Sequence, residues 1–404
     1  MTSSTPERLY YADSYCTEFD ALVQAVTRCE VGWVAVLDRT AFYPASGGQP
    51  FDTGTLADAR VLEVVDQEDG AIGHLLDREL PIGRSVHGAV DWERRFDHMQ
   101  QHSGQHVLSS AFDRLHRART VGFHLGAASS TIDLDRDLSP GLIAAAEEAA
   151  NRIVWEDRPV SVRFATEEES ARLSLRKEPT RSGVLRLVEI ADFDLSACGG
   201  THVARTGAIG VIAVASWERF KGGVRVEFLC GGRAMRSFHG LRDAVAGSIR
   251  LLSVLPEELP AAIEKLQADS RSQRRTQQAL QEQLASHEAR ALALRGVAIG
   301  AVTLVAEALS GWDANGLRRL ASVITASPGF IVGLVSTGSP ALIVIARSED
   351  VAIDASAILR RITERFGGRG GGKSDLAQGG SLVGAATDIL DAARGAVARS
   401  LTAS

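Results

Sequence analysis

The sequence predicts an α+β multidomain protein, and three observations carry that reading. A chain of 404 residues is too long for one ordinary hydrophobic core. Its composition, 45% hydrophobic and 23% charged, is that of a folded globular protein and excludes disordered and collagen-like classes. The apolar periodicity also changes along the chain, from two-residue alternation to helical spacing and back. The predicted parts are a small antiparallel β-barrel-like domain over residues 1–90, an α+β domain over 91–240, a helical spacer over 241–295 and a small α/β C-terminal domain over 296–404.

From about Tyr10 to Val90, short β-branched runs alternate with turn residues: VGWVAVLDRT, YPASGGQPFDTG, ARVLEVVDQ and HGAVDW. After Asp91, Phe96, Met99, His102, His106, Leu108 and Phe112 recur at helical spacing, which opens the second domain with a helix. Strands are expected at SSTIDLD, PVSVRFA, VLRLVEIA, GVIAVASWERF and GVRVEFLCG, with an Ala- and Glu-rich helix from Ser139 to Trp155. The segment from Arg242 to Arg295 is almost free of aromatics and glycine and reads as a long exposed helix or helical hairpin, with Pro256 and Pro260 at its start. Beyond Ala298, the strands VTLVAEAL, GFIVGLVS and ALIVIARS alternate with helical stretches and end in a C-terminal helix.

The four cysteines, Cys16, Cys29, Cys198 and Cys230, form no CxxC pair, which argues against a disulfide framework and a ribbon-type zinc site. No apolar run approaches the roughly 20 residues of a membrane helix, and the N-terminus lacks the apolar stretch of a signal peptide, so a cytoplasmic protein without membrane contact is expected. A net charge of −6 gives no global attraction to nucleic acid; a polyanionic partner would need local basic patches.

His102 and His106 lie one helical turn apart, so both imidazoles project from one face and can meet one ion. Cys198 and His202 form a second pair in SACGGTHV, where Gly199 and Gly200 would let the chain turn sharply so that thiolate and imidazole converge. Together they offer one zinc ion three nitrogens and a sulfur. The alternative is a packed histidine pair beside a small buried cysteine. His98, one turn before His102, can also reach an ion, but its place beside Asp97 suits a supporting or surface role better. Four protein ligands usually mean a closed structural zinc and three a catalytic one, so the count leaves the mechanism open.

HSGQHVL followed downstream by CGGTHVARTGAIG resembles the paired zinc motifs of the editing domain shared by alanyl-tRNA synthetase and the AlaX proteins. The likeness extends to the glycine-rich FYPASGGQPFDTG, to DWERRFDHMQQHSGQHVLS and to TVGFHLGAASSTIDLD, while GGRGGGKSDLAQGGS is similar to the end of the DHH-associated domain. The resemblance implies His102, His106, Cys198 and His202 as zinc ligands, and Gly47, Gly48, Gln49 and Asp52 as the loop that shapes an aminoacyl pocket. It further implies a zinc-dependent deacylase that removes serine, and in some cases glycine, from tRNA(Ala). Since nothing before Tyr10 can hold a class II synthetase core, editing without charging is expected. The DHH triplet is not matched: Asp97-His98-Met99 departs from it at the third residue.

Such hydrolysis needs a positioned water, a polarised carbonyl and a stabilised oxyanion. His124 in GFHLG is the candidate for water activation. Because alanine is smaller than serine, selection must read the extra hydroxyl by hydrogen bonding. Lys221 and Arg225 are candidates for the tRNA acceptor end, and Arg369 and Lys373 for the tRNA body. Two further basic clusters, Arg271, Arg274 and Arg275 and then Arg176, Lys177, Arg181 and Arg186, are candidate phosphate contacts or solvated faces. The apolar strands of the C-terminal domain are a candidate homodimer surface. GGRGGGKS formally satisfies the P-loop pattern, but a helical run precedes it and more glycine follows, so nucleotide hydrolysis is rejected. The alternative function is a non-catalytic zinc-stabilised RNA-binding module.

Overall fold

The computed structural model describes residues 6–176 and 183–402. Lys177 and Arg181 lie outside these residues. The chain divides into two compact units, Met1–Ser248 and Ile249–Ser404. It is a mixed α+β protein, and no helix is long and apolar enough to cross a membrane among the described residues.

The first unit begins with a closed barrel of six strands: β1 (Glu18–Cys29), β2 (Gly32–Leu37), β3 (Gly54–Leu56), β4 (Ala59–Asp66), β5 (Ile72–Leu76) and β6 (Ser85–Val90), in the order β1-β2-β5-β4-β3-β6. Closure depends on β6, which pairs with β1 through Phe19 and Gly88 and with β3 through Thr55 and Ala89. Alternation drives it: Phe19, Ala21 and Val23 of β1 are buried inside while Glu18, Asp20 and Leu22 face out. Between β2 and β3 runs the glycine-rich loop, pinned through Asp52, whose carboxylate accepts from the Tyr43 amide at 2.7 Å.

Asp91 caps helix α1 (Trp92–His116) by accepting from the Arg94 amide at 3.3 Å, and Arg117 ends it in the left-handed region. The helix is buried on nearly every side. Met99, Val107, Leu108 and Phe112 enter the largest core of the unit, together with Ile132, Val226 and Phe228. Gly104 permits the close approach of Cys230, because a Cβ at that position would overlap the cysteine sulfur. Polar residues on the helix are satisfied across the packing: Gln101 donates to the Cys230 carbonyl at 3.0 Å and accepts from its amide at 2.8 Å.

The rest of the unit places strands and one helix around α1. β7 (Thr120–Leu125) and β8 (Ser130–Leu134) join β12 (Ile212–Phe220) and β13 (Gly223–Cys230) in a four-stranded sheet of order β12-β13-β8-β7. Helix α2 (Pro140–Trp155) adds Ile143, Ala146, Ala150 and Ile153 to the core. A separate antiparallel sheet is formed by β9 (Val160–Ala165), β10 (Leu185–Ile190) and β11 (Asp194–Ala197). Helix α3 (Gly231–Leu252) leads on from β13.

The second unit contains α4 (Leu259–Leu294), β14 (Val297–Ile299), β15 (Val302–Leu309), α5 (Ala314–Thr325), β16 (Phe330–Ser336), β17 (Ala341–Arg347), α6 (Ala355–Phe366), β18 (Arg369–Gly372), β19 (Leu376–Leu382) and α7 (Ala386–Thr402). Its six-stranded sheet has the order β14-β15-β16-β17-β19-β18, with β15 and β16 parallel. The long helix α4 is not wholly a spacer: Ala285, Ala289 and Leu292 are buried in a core with Leu317 and Leu320 of α5. Ile358, Ile362, Ile389 and Val397 of α6 and α7 belong to a second core of this unit. GGRGGGKS leaves α6 and becomes the edge strand β18, so it does not have the strand-loop-helix form of a P-loop.

Candidate metal centre

His102, His106, Cys198 and His202 converge, each offering one ligand atom, and these four atoms lie within 4.8 Å of one another. The Cys198 sulfur is 3.4 Å from Nε2 of His102 and 3.3 Å from Nε2 of His202. A tetrahedral zinc with ordinary bond lengths would set nitrogen and sulfur about 3.6 Å apart, so the donor set fits such an ion.

Each imidazole is held from behind through Nδ1. The Nδ1 of His102 lies 2.7 Å from Gln49 Oε1, that of His106 lies 3.0 Å from Asp194 Oδ2, and that of His202 lies 3.2 Å from Ser103 Oγ. With Nδ1 occupied, Nε2 is the nitrogen left for the shared point. Gln49 is itself fixed, donating to Thr201 Oγ1 at 2.8 Å and accepting from the Thr201 amide at 3.1 Å. Asp194 takes a 2.6 Å bond from Arg176 Nε and a 3.0 Å bond from Ser196 Oγ.

These contacts set the protonation states. Burial pushes the Cys198 thiol up, but the imidazoles of His102 and His202 more than reverse this and hold it well below its ordinary range. Burial and the neighbouring His102 push His202 down to about 3, which keeps it neutral. For His106, burial acts downward and is outweighed by Asp194 and Cys198, which raise it to about 8. The Cys198 thiolate and the neutral His202 are already in the form that binds metal, whereas His106 would release its proton as an ion enters.

Three of the four, His102, His106 and Cys198, line a cavity of about 440 Å³. That volume falls within the roughly 300–1,000 Å³ of small-ligand sites. Tyr11, Tyr43, Gly47, Gln105, Thr120, Phe164 and Arg186 also line it.

Comparison with known proteins shows which family the chain resembles in sequence. The chain is 31% identical to the alanyl-tRNA editing protein AlaX-L of Pyrococcus horikoshii over 385 residues, which cover 92% of this chain and 94% of that protein. The chain belongs to the AlaX-L family. Residues 185–227 match the threonyl and alanyl tRNA synthetase second additional domain, residues 7–94 the class II (A) tRNA synthetases, and residues 301–399 the DHHA1 domain. The alanine-tRNA ligases of Pyrococcus furiosus and Pyrococcus abyssi are 34% and 33% identical over 92% of this chain, which spans 41% of their length. The C-Ala domain of Aquifex aeolicus alanyl-tRNA synthetase matches 26% of the chain and 97% of that domain at 27% identity, with a TM-score of 0.24.

Within this AlaX-L relative, several expected site residues take other places. Gly47 lines the cavity, and Gly48 packs against Phe123, whose ring stacks on His102 at 5.4 Å. Asp52 is fully buried away from the cavity, where it pairs with Arg95 and braces the loop from behind. His124 is exposed and does not line the cavity. Strand residues alternate faces, so the inward Phe123 turns His124 outward, away from the place expected of a water-activating group. Lys221 sits exposed at the β12-β13 turn, and Arg225 is bound to Asp133 at 2.7 Å; neither reaches the cavity. His98 is buried outside the four-residue group, held neutral near 4 by burial and the Arg94 charge. Arg176, bound to Asp194, and the buried Arg186 both line the cavity instead of forming an outer basic face.

The glycines of CGGTH also act differently from expectation. Neither Gly199 nor Gly200 has a positive φ. Gly200 is required by contact: a Cβ there would run into the His102 ring and lie 2.9 Å from Gln49 Oε1. Sequence reasoning missed Tyr11, Gln105, Asp194 and Phe164, none of which stands in a recognisable ligand spacing. In the second unit, Arg369 and Lys373 are exposed at the sheet edge, and Arg271, Arg274 and Arg275 are exposed on α4.

Proposed function

We propose that this protein hydrolyses the aminoacyl ester of mischarged tRNA(Ala), releasing serine, with one zinc ion held by His102, His106, Cys198 and His202. The observation that carries this reading is the convergence of three back-braced imidazoles and a thiolate on an open cavity. A purely structural metal needs no such opening. Zinc held there supplies a Lewis acid for an ester carbonyl.

The remaining work falls to the chain. Gln105 and Thr120 both line the cavity and both bond Ser109 Oγ, at 2.8 and 2.7 Å. This fixed polar array is the candidate reader of the serine hydroxyl, since a hydrogen-bonding pocket rejects a substrate that leaves its groups unpaired. Gly47 gives the glycine-rich loop a side without side chains against the ester, and Gln49 orients His102. Arg369 and Lys373 are assigned to the phosphates of the tRNA body.

Deacylation of seryl-tRNA(Ala) by the full chain tests the proposal. Activity that disappears on chelation and returns with zinc supports it. Full activity in a Cys198→Ala variant that has lost its metal refutes it.

A further inference from the structure

One row of residues runs across the β9-β10-β11 sheet into the metal centre. Phe164 on β9 is the register partner of Arg186 on β10, and the Arg186 carbonyl accepts from the Cys198 amide at 3.0 Å just past the end of β11. The row therefore passes from an aromatic ring to a guanidinium to a metal-binding thiolate, about 10 Å across two strand spacings. All three residues line the cavity.

Burial along the row is graded. Phe164 is 55% exposed, whereas Arg186 is 7% exposed. Arg186 spends Nε on the Tyr11 carbonyl at 3.0 Å and Nη1 on the carbonyls of Cys198 and Gly200 at 2.7 and 3.0 Å. Its Nη2 is buried with no protein partner. A buried guanidinium nitrogen without an acceptor is costly unless something supplies one. Phe164, which lines the same cavity and is more than half exposed, offers an aromatic face to an occupant.

We propose that Phe164 is the stacking platform for the 3′-terminal base of the RNA substrate, with Arg186 Nη2 donating to a sugar oxygen of the same nucleotide. The inference rests on the editing reading above and assigns the nucleotide end of its substrate. Any base offers a π face to an aromatic ring, and the ribose bridges the distance from the ring to the ester beside the metal ligands. The aminoacyl group alone would use a fraction of the 440 Å³. The remainder receives the ribose.

The test uses an acceptor-stem duplex ending in CCA with 2-aminopurine as the terminal base, titrated against the full chain and followed by fluorescence. Stacking on Phe164 predicts quenching on binding, affinity about ten-fold weaker in Phe164→Ala, and recovery of both in Phe164→Trp. Because Phe164 is exposed, neither variant disturbs metal content. A seryl ester on a duplex with an abasic 3′ end should lose as much in wild type as Phe164→Ala loses on the intact duplex, with no further loss when the two are combined. Equal affinity and quenching in Phe164→Ala, or additive losses, overturn the proposal. Quenching without deacylation by the wild type sinks the editing reading and leaves the platform standing; deacylation unaffected by Phe164→Ala does the reverse. Arg186→Lys with its metal retained should bind the duplex several-fold more weakly and still quench. Unchanged affinity removes Arg186 from the site.

Discussion

Gln49 Oε1 lies 2.7 Å from His102 Nδ1, joining the barrel's glycine-rich loop to the helix that carries His102 and His106 across 53 positions of sequence. The contact makes a loop residue responsible for the tautomer of a ligand. Gln49→Ala is therefore expected to keep the fold and lower zinc affinity by about 10- to 100-fold, the range for supporting groups behind metal-binding histidines. Competition with a chromophoric chelator measures it, and wild-type affinity would show that Gln49 has no such role.

Gly200→Ala tests the close approach at the centre. The added methyl meets the His102 ring, so metal content should fall sharply while circular dichroism stays near wild type. A variant with one tightly held metal ion would contradict the packing described for this loop.

The buried pair of Asp52 and Arg95 gives a third expectation, since both side chains are fully buried. Asp52→Ala leaves the guanidinium without its counter-charge and should destabilise the first unit by about 3–5 kcal/mol in denaturant unfolding. A loss under about 1 kcal/mol would mean that the backbone carbonyls of Ser14 and Ala41 suffice for Arg95.

His74 links barrel stability to pH. It is buried between Thr40 and the Ala35 carbonyl, and burial lowers it from 6.5 to about 4. Below pH 6.5 the unfolded chain takes up a proton that the folded barrel refuses. Stability is thus full above 6.5 and falls as pH drops toward 4, by up to about 1.4 kcal/mol per pH unit. His98, also held near 4, adds a parallel loss. His74→Gln should shallow the dependence of the urea midpoint between pH 7 and 4; an unchanged slope would exclude His74 as a contributor.

The parts legible in the sequence are those encoded by local spacing. The i, i+4 histidines, the helix after Asp91 and the apolar strands of the C-terminal region declare themselves by periodicity, and they form as expected. A barrel-like domain is expected, but the pairs that close it carry no local pattern, since β6 pairs with β3 across 32–36 positions and with β1 across 63–71. β18 was hidden for another reason: Arg-Gly-Gly-Gly has no alternation to read, and its pairing comes from β19. In the site, the four converging residues were visible and their supports were not. Asp194 lies 88 positions from His106, and Phe164 reaches the cavity only through its register with Arg186. His124 misled because a histidine flanked by glycines looks free to act, whereas strand alternation decides which way it faces.

The most direct test of the account compares seryl-tRNA(Ala) with alanyl-tRNA(Ala) as substrates of the zinc-loaded full chain under single-turnover conditions. A pocket that reads the hydroxyl through Gln105 and Thr120 predicts cleavage of the serine ester at least about a hundred-fold faster than the alanine ester. Equal rates on the two esters, or no cleavage of either with zinc bound, would contradict it.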